Sequence, residues 1–148
     1  LSLFIIEIDN FQSFSKTNDN AEINNIILGV ANALNSILRR ESDFLAQTSD
    51  SHCLMFLVNE MDYKYKQATL FAEKLHQAIA NHGNPQQDAV TSSLVTASIG
   101  HVSCIPESHN CKGPQAFINA AQKHLKKAVK AGGNYSRTSL KFKHKYSE

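Results

Sequence analysis

Two periods of apolar residues alternate along the chain. Leu3 to Ile8 is a run rich in Phe and Ile, the pattern of a buried strand. From Ala21 to Arg39, the residues Ile23, Ile26, Ile27, Val30, Leu34, Ile37 and Leu38 recur at steps of three and four. They form one apolar stripe of a helix, closed by Arg39 and Arg40, whose charge suits the helix dipole. Phe44–Gln47 is short and half apolar, Thr48–His52 carries only small or polar side chains, and Cys53–Val58 is continuously apolar. This sequence predicts a short strand, a five-residue polar turn and a buried central strand, with the turn at the tip of a β-hairpin. Lys64–Asn81 reads as a second helix with Ala68, Phe71, Ala72, Leu75, Ala78 and Ile79 inward, stopped by His82-Gly83-Asn84-Pro85. Thr91–Val102 is a long strand centred on Leu94–Ile99. Gly113-Pro114 opens a third helix with Ile118, Ala121, Leu125, Ala128 and Val129 inward, and Gly132 or Gly133 ends it. Tyr135–Phe142 is a last, weak strand.

The order is strand, helix, strand, strand, helix, strand, followed by a further helix and strand. The first six match a βαββαβ unit. The expected class is α+β, a mostly antiparallel central sheet flanked by helices, with an extra helix and strand. No repeat, low-complexity tract or linker interrupts the pattern, so residues 1–148 are read as a single domain.

Composition narrows the class. Charged residues make up 19% of the chain and both signs are present, which excludes a disordered polyelectrolyte. A net charge of +2 does not by itself argue for nucleic acid or a membrane as partner. Three irregularly spaced cysteines point to a reduced compartment, and the domain is expected in the cytoplasm. No apolar run spans a bilayer and no signal peptide is visible. A chain that opens directly on a strand, without Met, reads as a fragment of a longer protein.

Some side chains suggest chemistry. Glu7 and Asp9 are two apart on a strand and share a face, so they could hold a hard divalent cation. The alternative is that Asp9 caps the turn Asn10–Phe14 and Glu7 is a half-exposed strand residue. Ser51 and His52 are adjacent and point apart on an extended chain, which implies no triad. Cys104, His109 and Cys111 could ligate zinc but lack a knuckle and a fourth ligand. Lys123, Lys126, Lys127 and Lys130, like Lys141, Lys143 and Lys145 in the tail, read as solvated surface.

Four stretches together resemble a GGDEF domain of the diguanylate cyclase family. Leu3-Phe4-Ile5-Ile6-Glu7-Ile8-Asp9-Asn10-Phe11 resembles its opening strand with a D-x-D-x-F end. Arg40-Glu41-Ser42-Asp43 is similar to its R-x-x-D, Val95-Thr96-Ala97-Ser98-Ile99-Gly100 to its V-T-x-S-I-G strand, and Lys130-Ala131-Gly132-Gly133-Asn134 to its A-G-R-N turn. The resemblance implies the ferredoxin-like, nucleotide cyclase palm core. It also implies two GTP-bound domains meeting face to face and forming cyclic di-GMP with Mg²⁺.

The departures from that pattern fall on the chemistry. The turn reads Ser49-Asp50-Ser51-His52-Cys53 where the family has G-G-[DE]-E-F. Both glycines are replaced by residues with side chains, and Ser51 stands at the metal-binding acid. Glu7 keeps a carboxylate at the strand metal position, one methylene longer than Asp. The guanine-reading Asn and Asp align with Ser15 and Asn24, and the neighbouring glycine with Ile23. Asn24 keeps hydrogen-bonding capacity but loses a carboxylate's paired acceptance from guanine. Gln12, Val129 and Gly133 stand at phosphate-binding cations. No catalytic residue is therefore expected, and no cofactor is required; Mg²⁺ enters only if the domain is an active cyclase with an unusual metal site.

Arg40 and Asp43 match the family's inhibitory site for cyclic di-GMP, where Arg can pair with guanine O6 and N7. The helix after the hairpin offers Lys64, Lys66, Lys74 and His76 but no second Arg. The alternative is that Arg40 caps the helix and Asp43 starts the next strand. The resemblance leads to an inactive regulatory domain with cyclic di-GMP or GTP as ligand, a homodimer as assembly, and a flanking sensor or phosphodiesterase domain. The other readings are an active cyclase and a ligand-free interaction domain. No nucleic-acid partner is expected.

Overall fold

The computed structural model describes residues 1–48, 53–59, 65–82, 95–104 and 112–139. The elements in order are β1 (Ser2–Ile8), α1 (Phe11–Thr17), α2 (Asn20–Asn35), β2 (Phe44–Gln47), β3 (Cys53–Val58), α3 (Tyr65–His82), β4 (Ala97–Ser103), α4 (Pro114–Lys130) and β5 (Ser136–Ser139). The five strands form one sheet in the order β2-β3-β1-β4-β5. Every pairing is antiparallel except β4 with β5, so the expected α+β class and mostly antiparallel sheet are found.

β1 lies at the centre, with β3 on one side and β4 on the other. Phe4, Ile6 and Ile8 point into a core beneath α2 and α3, together with Val30, Leu34, Leu75 and Ile79. Leu3 and Ile5 point to the opposite face, where α4 brings Phe117, Ala121 and Leu125. A strand covered on both faces needs apolar residues at every position, which explains the unbroken run. Gly100 on β4 is where α4 comes closest. A Cβ there would collide with the backbone of Ala121 and Leu125, so the glycine of the V-T-x-S-I-G stretch is a packing requirement.

Several boundaries differ from expectation. α2 stops at Asn35 rather than Arg39, and a tight turn follows in which Ile37 and Leu38 donate back to Leu34 and Asn35. Arg39 and Arg40 therefore lie outside the helix and do not close it. Its other end has a capping box: Glu22 N donates to Asp19 Oδ1 at 2.8 Å, and Asp19 N to Glu22 Oε2 at 3.3 Å. The stretch after Asp9 is not a simple turn but α1, whose N-cap is left-handed Asn10 with no side-chain cap. Val129 is 41% exposed and Phe117 takes the inward place. The expected start of β4 at residues 91–94 and end of β5 beyond Ser139 lie outside the described residues, as do His109 and Cys111. Cys104 is buried.

A polar chain runs through the core where β1 begins. Ser2 Oγ and Ser103 Oγ lie 2.6 Å apart, and Ser103 Oγ lies 2.9 Å from His101 Nε2. All three residues are buried, and the His101 ring stacks on Phe4 with centroids 4.3 Å apart. Burial drives the His101 pKa down to about 3, with a smaller push from His124. The ring is therefore neutral.

Candidate functional site

The rim where β1 ends carries Glu7 and Asp9, two of the polar residues singled out in the sequence. Asp9 is its fixed point. Its Oδ2 accepts from Thr96 Oγ1 and from the backbone N–H of Asn134, each at 2.7 Å, and its Oδ1 accepts from Ser98 Oγ at 2.7 Å. Its own N–H donates to Thr96 O at 3.0 Å. Asp9 thus ties the exit of β1 to the entry of β4 and to the turn between α4 and β5. Gly132 and Gly133 have φ of 112° and 78° and Asn134 of 45°, and this left-handed path brings the Asn134 N–H onto the carboxylate. Asp9 therefore caps no helix, and both of its oxygens are already occupied by donors. The hydroxyls of Thr96 and Ser98, two apart on one face, were the available sign of this partnership.

Glu7 shares that face, as its place two residues before Asp9 predicts. It pairs across the sheet with Cys53 and Ser98 and is half-buried. Its contact is with a thiol: Cys53 Sγ lies 3.9 Å from Glu7 Oε2. Ser49 to His52 lie outside the described residues. Among the described residues, no three His, Cys, Asp or Glu side chains converge as a metal centre would require. Mg²⁺ demands several oxygen ligands in octahedral array. The described rim offers it one available carboxylate, beside a thiol suited to softer metals.

Asp43 and Arg40 occupy the turn that leads into β2. Asp43 N donates to Arg40 O at 3.0 Å, which brings the two residues into one tight loop. Arg40 is exposed, whereas Asp43 is half-buried with Oδ1 closed off from solvent and without a hydrogen-bond partner. On α3, His76 Nε2 is likewise buried without a partner. Burial lowers its pKa, while the Asp9 and Glu73 carboxylates pull it partly back.

The family profile described as Diguanylate cyclase, GGDEF domain, matches residues 1–135. The chain belongs to the GGDEF domain family. No curated protein sequence matches it. Among solved structures, the GGDEF domain of YfiN (or TpbB) from Pseudomonas aeruginosa superposes with a TM-score of 0.76 at 16% identity, over 93% of this chain and 81% of that one. The GGDEF domain of DgcB from Caulobacter crescentus, in complex with c-di-GMP, gives 0.75 at 15% identity, over 95% and 77%. The S helix-GGDEF-EAL part of Vibrio cholerae LapD, bound to c-di-GMP, gives 0.72 at 14%, over 98% of this chain and 31% of that one. What these low identities share is the fold.

In this GGDEF domain, the positions that the sequence resemblance matches to nucleotide binding either make contacts within the fold or are exposed. Ile23, at the glycine position, is half-buried and packs against the core under α2. Ser15 Oγ donates to Gln12 O at 3.0 Å within α1. Asn24 is exposed on the first turns of α2. Val129, which the resemblance matches to a phosphate-binding cation, presents an exposed apolar side chain. At Gly133, a Cβ would meet the Asp9 carboxyl group at 3.0 Å, and φ is 78°, so a restored cation would strain the backbone. Among the described residues, no helix is long and apolar enough to cross a membrane.

Proposed function

We propose that this GGDEF domain makes no cyclic di-GMP and works within a larger bacterial protein as a regulatory module of cyclic di-GMP signalling in the cytoplasm. Residues 1–148 form one domain of that protein, beside a sensor or phosphodiesterase domain. The observation that carries this reading is the sequence Ser49-Asp50-Ser51-His52-Cys53, which lacks both glycines and has Ser51 and His52 at the two positions matched to the acids of an active cyclase. The rim supports it, since Asp9 is engaged by three donors and Glu7 faces a thiol. Phosphoryl transfer depends on positioning and charge neutralisation, and the loss of acids and cations together removes both. The decisive assay uses the full-length protein or a forced dimer, with GTP and Mg²⁺ or Mn²⁺. No product is expected, and turnover that vanishes with Glu7→Ala would establish the active-cyclase reading instead.

As a receptor, the domain would bind cyclic di-GMP through Arg40. Its exposed guanidinium can reach guanine O6 and N7, whereas Asp43 must present Oδ2 or open the turn, because Oδ1 is enclosed. Calorimetry with cyclic di-GMP and with GTP should show cyclic di-GMP binding that weakens about five- to two-hundredfold on Arg40→Ala, the value of one bidentate guanine contact. Arg39→Ala should change affinity little. Binding indifferent to Arg40 would move the site elsewhere, and a parent that binds neither nucleotide would leave dimerisation as the role.

A further inference from the structure

The net charge of +2 conceals a segregation. Residues 112–148 hold nine Lys and Arg against one acid, Glu148, a net of +8, while the first 111 residues hold six against twelve, a net of −6. Four of the nine cations gather on α4, a helix without a single Asp or Glu. Its line of Phe117, Ala121, Leu125 and Ala128 is buried against the sheet. Lys123, Lys126, Lys127 and Lys130 are all exposed, and at 3.6 residues per turn they fall within an arc of about 100° directly opposite that line. Val129, on the flank of α4, is 41% exposed; after the helix Tyr135 is 44% exposed, with the Arg137 guanidinium 5.4 Å above its ring.

We propose that the outer face of α4 docks on an anionic lipid bilayer. The charged groups of this face are lysines alone. Ammonium groups are compact, strongly hydrated charges suited to a diffuse negative surface, whereas nucleic-acid and phosphate readers favour the planar arginine fork. Val129, exposed on the flank of the same helix, adds a short apolar contact at headgroup depth. The apolar line of α4 is committed to the core, so the helix cannot insert. Contact runs through lysine tips and is reversible and salt-sensitive. Asp19 and Glu22 stand at the start of α2, which packs on the other face of the sheet, away from the lysine face. This docking is independent of whether the domain is a cyclase.

Co-sedimentation with vesicles tests it. The parent protein should bind vesicles of equal parts phosphatidylcholine and phosphatidylglycerol at low salt, and neither pure phosphatidylcholine nor the mixed vesicles at high salt. Each lysine near such a surface contributes about a fivefold gain in partitioning. The triple variant Lys123→Gln, Lys127→Gln, Lys130→Gln should therefore lose binding on the order of a hundredfold. An equal-charge control, Lys16→Gln, Lys66→Gln, Lys74→Gln, alters exposed lysines elsewhere and should lose only a few-fold. Matching thermal melts would show that both variants fold. Equal losses in the two triples, or a parent that ignores anionic vesicles, would overturn the proposal. A parent held more tightly by duplex RNA than by the vesicles at the same salt would overturn it in favour of nucleic acid.

Discussion

The two ends of β1 keep polar groups in opposite ways. Where the strand begins, Ser2, Ser103 and His101 form a neutral chain sealed from water. Where it ends, Asp9 collects three donors from two distant parts of the chain, and among the described residues Glu7, two residues earlier, meets a thiol. The difference lies in the donors within reach. Convergent hydroxyl and backbone donors let Asp9 knit the rim together, while an imidazole with one hydroxyl neighbour in an apolar core stays uncharged.

Acid should strike the neutral end hardest. The folded pKa of His101, about 3, lies below its ordinary value of 6.5, so on acidification the unfolded chain takes up the proton first. The contribution is fully present above pH 6.5 and is lost as pH falls towards 3, by up to about 5 kcal/mol. Urea denaturation across this range should show a slope that flattens in His101→Leu relative to the parent. An unchanged slope would mean that His101 is protonated in the fold.

Asp9→Ala should come next. It removes three charge-assisted hydrogen bonds and leaves Thr96 and Ser98 without their acceptor, at a cost of about 2–4 kcal/mol in urea denaturation at neutral pH. Gly133→Ala should cost about 1–2 kcal/mol, from a left-handed backbone and from its contact with the Asp9 carboxyl. In an Asp9→Ala background the contact part should disappear, so a double-mutant cycle reads their coupling. Glu7→Ala should be the smallest, within about 0.5 kcal/mol. A Glu7 effect as large as that of Asp9 would erase the contrast.

The apolar pattern made most of the fold legible. The continuous run Cys53–Val58 and the short Phe44–Gln47 became β3 and β2 at the expected residues. The end of α2 was hidden because Ile37 and Leu38 continue the helical spacing and pack against the core from a turn. α1 was missed because seven residues with one buried side chain, Phe11, carry no period. The Asp19 to Glu22 spacing was readable as a capping box and marked the true start of α2. At the rim, sequence alone paired Glu7 with Asp9 on one face correctly. It could not tell that Asp9 was occupied, because its partners stand about ninety and 125 residues away.

The central position of β1 also sets a timetable for synthesis. It leaves the ribosome before either neighbour, and its contacts with β4 wait for roughly ninety more residues. At about 5–20 residues per second, that is some 5–20 s during which Leu3–Ile8 has no complete sheet to enter. The hairpin β2–β3 closes locally, but the strand it joins is non-local on both sides, an arrangement that slows folding. The nascent chain therefore carries its stickiest segment exposed for longest, and a chaperone that recognises short runs of Phe, Ile and Leu would meet it there first.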